Sequence, residues 1–595
     1  MHPKVLSRLI ASLLLTWTLG FVMVNGQSTT QPSLAQITSA LASGSGSTSL
    51  GSALAEAGST LESIISDTIA QLARWTTLIL FPERYYSYGR SPAVYPSPQG
   101  QGSGDWSQAY SQAKALVAQM TVQEKANITL GSSETHDCSG FTGSVPRLGF
   151  PGMCLNDAES GVRTASKVNG YPAQLHIGAS WNRSLAYDRA LHLGQEFKTK
   201  GVNVLLGPVA GPLGRIATGG RNWEGFSNDP YLAGSLIAPT ISGMQKSVIA
   251  CVKHFIANEQ ETNRSPFLQG FLGGLINLNN SVSSNVDDRT MHELYLWPFY
   301  DAVKAGAGST MCSYQRVNNS YDVRGTLADI YSDTLVTNVA SRGKNTMVII
   351  HSAGIRLVDR WIDHPNITAV IYANLPGQYS GTSLTEIIYG RSSPSGRLPF
   401  TVAKNESDYG SLLRPALPDR INPQYSQSDF TEGLFIDYKR FVQQNVTPRF
   451  AFGYGLTYSN FSYSGLQMSA NGSAVTSSSP PGTVAGIAAE GGTTSLYDII
   501  ATVSIAVKNT GNVATAEVAQ LYLGIPGSGV PKVLRGFEKQ LIQPGASVNM
   551  TFSLRRRDMS IWDVVRQQWV LPSGAYNIMV GKSVLDIQLQ GTLTL

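Results

Sequence analysis

IACVKHFIA (residues 249–257) decides the reading of the fold. It is a short apolar run rich in β-branched residues that ends on Lys253-His254, which suits a strand buried on both faces with polar groups at its C-terminal end. Two similar runs flank it: VNVLLGPV (202–209), and GSTMCSY (308–314), which ends on Ser313-Tyr314. Helical stretches such as Leu185–Lys200 and Met291–Lys304 lie between such runs. Strand–helix alternation predicts a parallel sheet, either open or closed as a barrel. A β/α barrel carries its active site at the strand C-termini, so these polar ends mark a candidate site.

Upstream, Trp106, Tyr110, Ala113, Val117 and Met120 recur at helical spacing and predict an amphipathic helix. Thr121 and Glu124 then form a capping-box pattern. Downstream, TMVIIH (346–351) and ITAVIYAN (367–374) predict a second α/β unit. The last hundred residues change character. YDIIATVSIAVKN, EVAQLYLGI, SVNMTFSLR and GAYNIMVG alternate apolar and polar residues between turn signals, as in an antiparallel β-sandwich.

The 595 residues suffice for three or four domains. Only 14% are charged, and the net charge of +5 is not gathered into basic runs, which argues against nucleic-acid binding. Lys4 and Arg8 precede an apolar run from Leu9 to Val24 and then Asn-Gly-Gln, the pattern of a secretory signal peptide. The other reading is a membrane anchor, for which the run falls short of the ~20 apolar residues of a span. No later segment is long and apolar enough to span a bilayer. A secreted, extracellular protein is therefore expected.

Eleven N-x-S/T sequons agree with secretion: Asn127, Asn182, Asn263, Asn279, Asn318, Asn366, Asn405, Asn445, Asn460, Asn471 and Asn549. Of the four cysteines, Cys138 and Cys154 share a loop-rich segment and are expected to pair. Closing a loop of about 15 residues contributes about 3 kcal/mol in the chain-entropy model. Cys251 and Cys312 lie in apolar runs and read as buried thiols. No His/Cys cluster has metal-ligand spacing.

The residues able to carry chemistry cluster in the first α/β unit. MCLNDAESGVR supplies Asp157 and Arg163, and GGRNWEGFSNDP supplies Arg221, Trp223 and Glu224. VKHFIANEQETNR supplies Lys253, His254, Glu259 and Glu261, and MCSY supplies Met311 and Tyr314. Charged, amide and aromatic groups at successive strand ends suit a sugar: carboxylate and guanidinium bind hydroxyls in pairs, and an aromatic face covers the apolar side of the ring. Any one of them, taken alone, reads equally well as a loop residue or half of a buried ion pair. There is no P-loop, HExxH or G-x-S-x-G motif.

These motifs resemble the secreted fungal β-glucosidases of glycoside hydrolase family 3. GGRNWEGFSNDPYLAG, CVKHFIANEQETNR, SSNVDDRTMHELYLWPFYDAVKAG and MCSYQRVNNSY are similar to the family's N-terminal TIM-like barrel. TMVIIHSAGIRLVDRW, HPNITAVIYANLPGQYSGTSLTEIIYGRSSPSGRLPFT and FAFGYGLTYSNFSYSGL are similar to its α/β sandwich domain. VKNTGNVATAEVAQLYLGIP, PKVLRGFEK and LRRRDMSIWD are similar to its fibronectin type III-like domain. The resemblance starts near residue 106 and covers most of the chain beyond it. Composition sets a signal peptide at 1–26 and a low-complexity leader at 27–104; the resemblance divides the rest into a barrel at 105–321, an α/β sandwich at 322–465, a linker at 466–494 and a fibronectin type III-like β-sandwich at 495–595.

The resemblance also implies a retaining β-glucosidase that releases terminal glucose from cellobiose or short oligosaccharides, with no metal or organic cofactor. A barrel Asp acts as nucleophile, and a Glu of the second domain acts as acid/base ~5–5.5 Å away. The sugar-holding positions carry over as Asp157, Arg163, Arg221, Lys253, His254, Met311 and Tyr314. Gln315 stands where the family usually has Asn.

Both catalytic positions are missing, and the segment that bears them reads as deleted between Tyr321 and Tyr331. In the family, NNSY leads to a strand ending in Ser-Asp-Trp, whose Asp is the nucleophile; this chain has no Ser-Asp-Trp. Within about ten residues of Tyr321 it reaches Tyr331 and SDTLVTNVASRGKNT, which resembles the helix after the acid/base loop. Barrel and sandwich are therefore both expected to be incomplete, and Asp105 to Tyr321 is shorter than the ~250 residues of a whole barrel. Asp322, Asp329 and Asp333 lie at the join, where no strand end places them. SPFLQGFLGGLINLNNS (265–281) is apolar where the family has a shorter polar loop. Either a misplaced exon boundary or a transcript encoding a degenerate protein accounts for both departures. The chain is expected to be inactive. The alternatives are a sugar-binding protein without turnover, or another specificity such as a β-xylosidase. The sequence leaves the oligomeric state open.

Overall fold

In the computed structural model the expected strand 249–257 is β4, Ile249–Phe255, and it lies inside a five-stranded sheet. Residues 106–130, 138–157, 159–264, 281–318, 341, 345–417, 426–471, 478–479 and 492–595 are described. All belong to one compact unit, Tyr88–Leu595. The signal peptide, the leader, Asn279 and most of the 265–281 stretch lie outside the described residues. So does the whole join from Tyr321 to Tyr331, with Asp322, Asp329 and the nearby Asp333, where the catalytic segment reads as deleted.

The sheet runs β1 (Gly140–Phe141), β2 (Cys154–Asn156), β3 (Val204–Leu205), β4 and β6 (Ser309–Cys312). β1 is antiparallel to β2; the other pairings are parallel. Among the described residues no strand pairs with the outer side of β6, so the sheet is an open part of a barrel. β3 is shorter than its apolar run predicts. Pro208 and Pro212 follow it, and proline has no N–H to give to a ladder.

The sheet's two faces differ. Leu205, Ala250 and Val252 face the main core, with α4 (Arg183–Thr199) and α5 (Pro230–Met244). Helices α1 (Ser107–Ala118), α2 (Val122–Leu130) and α3 (Gln174–Ser180) precede these two. Asp229 caps α5 by accepting the amides of Tyr231 and Leu232 at 2.9 and 3.0 Å, ahead of Pro230 at the first helical position. The two helices pack closely where Gly194 meets the Met244 main chain and Gly243 the Tyr187 carbonyl. Leu155, Val204, Leu206, Cys251 and Met311 face the opposite way and form a small cluster of their own, the inner face of the open barrel.

A second sheet joins distant parts of the chain. β10 (Gln427–Asp429) pairs in parallel with β5 (Ser283–Asn285), which pairs in parallel with β7 (Arg316–Val317). The later unit keeps two parallel strands, β8 (Thr346–Ile350) and β9 (Ile367–Tyr372). Each is apolar but for one threonine, yet almost all of their residues are only half-buried or exposed. Helix α7 (Ser380–Ile388) beside them in sequence buries none of its side chains. Continuous apolar strands suit a sheet covered on both faces, and this pair lacks such cover among the described residues.

The C-terminal unit forms two antiparallel sheets among the described residues. One sheet orders β11 (Phe461–Ala470), β12 (Ile499–Asn509) and β15 (Ser547–Arg555). The other orders β14 (Val533–Ile542), β13 (Thr515–Gly524), β18 (Ala575–Gly581) and β19 (Ile587–Thr594). A hairpin of β16 (Ile561–Asp563) and β17 (Gln568–Val570) sits beside them. Buried contacts fasten the sandwich to the rest. Arg397 and Glu517 pair at 2.6 Å with side-chain exposures of 2% and 1%. Trp297 on α6 (Trp297–Lys304) lies between the guanidinium groups of Arg535 and Arg557, 4.4 and 4.1 Å from its ring.

Three expectations need correction. Helix α1 forms, but none of its residues is buried, and Tyr110 and Val117 stay exposed. Cys251 is buried as expected, whereas Cys312 is exposed, because it faces outward at the end of the edge strand β6. β11 carries sheet pairing past the boundary drawn at 465/466, since residues 467–470 pair with β12.

Candidate active site

The open end of the inner face is polar. Strand alternation puts Lys253 on the same side of β4 as Cys251, and Asp157 continues the alternation of Met153 and Leu155. The two meet: Lys253 Nζ donates to Asp157 Oδ1 at 3.2 Å. Arg163 reaches Asp157 Oδ2 from the rim, at 3.5 Å and well exposed. Met311 lies lower on the same face, packed against the apolar cluster.

Arg221 and Glu224 form a two-pronged ion pair, both contacts at 2.6 Å. His254 is buried, and its Nδ1 lies 3.1 Å from the Gly211 carbonyl. A carbonyl only accepts, so Nδ1 carries the hydrogen and Nε2 is left as an acceptor. Burial, together with Arg221 and Lys253, holds the His254 pKa well below the usual histidine value, so the ring is neutral. Tyr314 stacks on His254 at 6.2 Å, and Arg264 lies 4.1 Å over the Tyr314 ring.

Lys253 is 3% exposed. Burial by itself depresses a lysine, but Glu159, Glu224 and Asp157 outweigh it, and the pKa rises. The lysine is a fixed cation. Nothing in the sequence singles out Glu159, because two residues past Asp157 in a loop no periodicity assigns a face. It is 1% exposed, neither carboxylate oxygen has a hydrogen bond, and Lys253 Nζ lies 3.7 Å from Oε1. Burial pushes its pKa up to about 7, against the pull of Lys253 and Arg189.

The remaining carboxylates are committed. Glu259 accepts the backbone amides of Leu213, Gly214 and Arg215 at 2.9, 3.0 and 2.8 Å, pinning the loop after β3. Glu261 binds Asn258 at 3.0 Å and Arg264 at 2.6 Å. Both read as structural. Cys138 and Cys154 form a disulfide that ties β1 and β2 at the site's edge.

Polar and aromatic side chains at the ends of parallel strands, on a chain that closes with a β-sandwich, agree with the family 3 resemblance of the sequence. Family models bear this out in order along the chain. The glycosyl hydrolase family 3 N terminal domain matches residues 113–335, the family's C-terminal domain 300–458, and a fibronectin type III-like domain 517–584. A probable beta-glucosidase M of Aspergillus niger is 38% identical, over 86% of this chain and 96% of that protein. Beta-glucosidase cel3A of Pyricularia oryzae is 36% identical, over 84% and 95%. The structure of a beta-glucosidase from Chaetomella raphigera superposes with a TM-score of 0.73 at 31% identity, covering 83% of this chain and all of that one. A family 3 beta-glucosidase from Neurospora crassa gives 0.76 at 27%, covering 85% and 100%. The chain belongs to glycosyl hydrolase family 3 and is a β-glucosidase-type glycosidase, with a glycoside as its substrate.

The alignment to the Aspergillus niger protein runs over 746 residues, more than the 595 of this chain. That relative therefore carries residues with no counterpart here. The N-terminal and C-terminal family models overlap across residues 300–335, the interval that holds Tyr321 and Tyr331.

Proposed function

We propose that this chain holds the terminal β-glucose of a cellobiose-like ligand without cleaving it. Asp157, Arg163 and Lys253 bind adjacent hydroxyls through charge-assisted hydrogen bonds. The free Nε2 of His254 accepts another hydroxyl, Arg221 closes the far side, and Tyr314 and Met311 supply apolar contact.

One observation carries the reading: among the described residues, each carboxylate near the strand ends is either held by a partner or, as Glu159, enclosed without a hydrogen bond. Glu224 is held by Arg221, Glu259 by three amides, and Glu261 by Asn258 and Arg264. Asp157 is held by Lys253 and Arg163, and Glu159 is enclosed. A retaining reaction needs one carboxylate free to attack and another ~5–5.5 Å away to move the proton. The absence of Ser-Asp-Trp and the surplus residues of the Aspergillus niger relative support a deletion between Tyr321 and Tyr331 that removes both. Loss of the nucleophile alone costs about 2 × 10⁶ in kcat in the hydrolase subtilisin.

The protein travels the secretory route. Asn127, Asn263, Asn318, Asn405, Asn445, Asn460, Asn471 and Asn549 are exposed, although Asn127, Asn263 and Asn318 donate their Nδ2 to Ser144, Ser426 and Val286. Asn182 is half-buried, and its side-chain oxygen caps α4 by accepting the Leu185 amide at 3.1 Å. Isothermal titration of the purified chain with glucose tests the function. A saturable binding phase that disappears in Asp157→Asn supports it; no binding, or a titration identical in that variant, overturns it.

A further inference from the structure

Where the β5 end, the loop before α8 (Asp437–Gln443) and the sandwich meet, the surface forms an open cavity of about 440 Å³. It shares no residue with the candidate site. Its size falls in the ~300–1,000 Å³ range of small-molecule pockets. Arg289 spans the junction by donating to the Ser528 carbonyl at 2.8 Å, and Glu432 is neutralised by the buried Arg215 guanidinium.

Other polar groups on the wall are uncommitted. Arg440 and Gln443 stand one turn apart on α8 and both line the cavity; the Arg440 Nε is buried away from it, so its terminal amino groups are the donors at the wall. Asp287 uses Oδ1 to cap the Thr290 amide at 2.9 Å, leaving Oδ2. Phe435 and Val530 supply apolar wall. Two donors, an acceptor and an aromatic surface in one cavity match a hydroxylated ring. Asp287 opposes an anion and Arg440 opposes a cation, so the balance favours a neutral ligand.

We propose that this cavity is a second carbohydrate site, which takes the end of a neutral glucan between the α/β part and the sandwich. It does not depend on the strand-end site. Ligand hydroxyls accept from Arg440 and Gln443 and donate to Asp287, while a ring face lies on Phe435.

The test uses the full chain carrying Asp157→Asn, which removes the strand-end contribution, and titrates it with cellobiose. Saturable binding is expected to persist. Arg440→Ala added to that chain is expected to weaken it at least tenfold. Gln443→Glu, at an exposed position that tolerates substitution, is expected to weaken it severalfold by setting a second carboxylate against Asp287. Circular dichroism confirms that each variant is folded. No saturable binding to the Asp157→Asn chain, or binding indifferent to both α8 changes, overturns the proposal. Glucose binding by the wild-type chain judges the strand-end site separately.

Discussion

Replacing Glu159 by Gln should flatten the protein's stability against pH. The carboxyl is enclosed, with Gly207 so close that a β-carbon there would collide with it. The charges facing it are Lys253 on β4, Arg189 on α4, Glu224 in the loop after β3, and Asp157 beside it. Its pKa rises from 4.5 to about 7. A group whose folded pKa is raised stabilises the fold fully below its unfolded pKa, and that stability is lost as pH rises through the folded value. At 1.36 kcal/mol per unit, the wild-type protein should lose about 3 kcal/mol between pH 4 and 8 through this one group. Gln keeps the shape and cannot titrate. Urea unfolding of both proteins at pH 4 and pH 8 measures the difference: the stability of the Gln variant relative to wild type should improve by about 3 kcal/mol across that interval. Curves that stay parallel within about 0.5 kcal/mol would refute the enclosure of an ionisable acid beside Lys253.

Glu517→Ala should destabilise the protein by about 3–5 kcal/mol, visible as a lower denaturation midpoint, because it strands Arg397 in the interior. Trp297→Ala should cost about 3–5 kcal/mol by opening a cavity between two buried arginines. Replacing Cys138 and Cys154 together by Ala should cost about 3 kcal/mol, read by the same unfolding assay, through release of the loop they close. Sequencing the full-length transcript across the codons for Asn318 to Asp333 decides between the two origins of the join: a transcript that joins Tyr321 directly to Asp322 encodes the degenerate protein, and a longer one encoding Ser-Asp-Trp restores an ordinary hydrolase.

The sequence discloses most where a repeat period meets a burial boundary. The run around Cys251 and Lys253 shows both strand and site, since the parity that buries Cys251 also sends Lys253 to the inner face beside Asp157. The sandwich strands are legible for the same reason, and the Thr121–Glu124 box is a local device that forms as read, with amide contacts of 2.8 and 3.2 Å. Other features depend on distant partners. Gln427–Asp429 has no strand pattern; it becomes β10 because the backbone of Ser283–Asn285 is there to pair with it. The α1 stripe predicts a buried face, yet periodicity supplies no partner to cover it. Glu159 sits in a loop, where nothing in the chain distinguishes an enclosed carboxyl from a solvated one. The strands β8 and β9 read in sequence as a pair buried on both faces, and only the fold shows that their packing is confined to the side of Val358, Trp361 and Phe450.

Turnover is the decisive quantity. Purified full-length chain, its mass verified, is incubated with an aryl β-glucoside at high enzyme concentration, and aryl release is followed. No release above buffer is expected, from a protein that still binds glucose. Steady release at enzymatic rates, on the order of 1–10³ s⁻¹, would contradict the loss of catalysis and would require a catalytic carboxylate pair elsewhere in this chain.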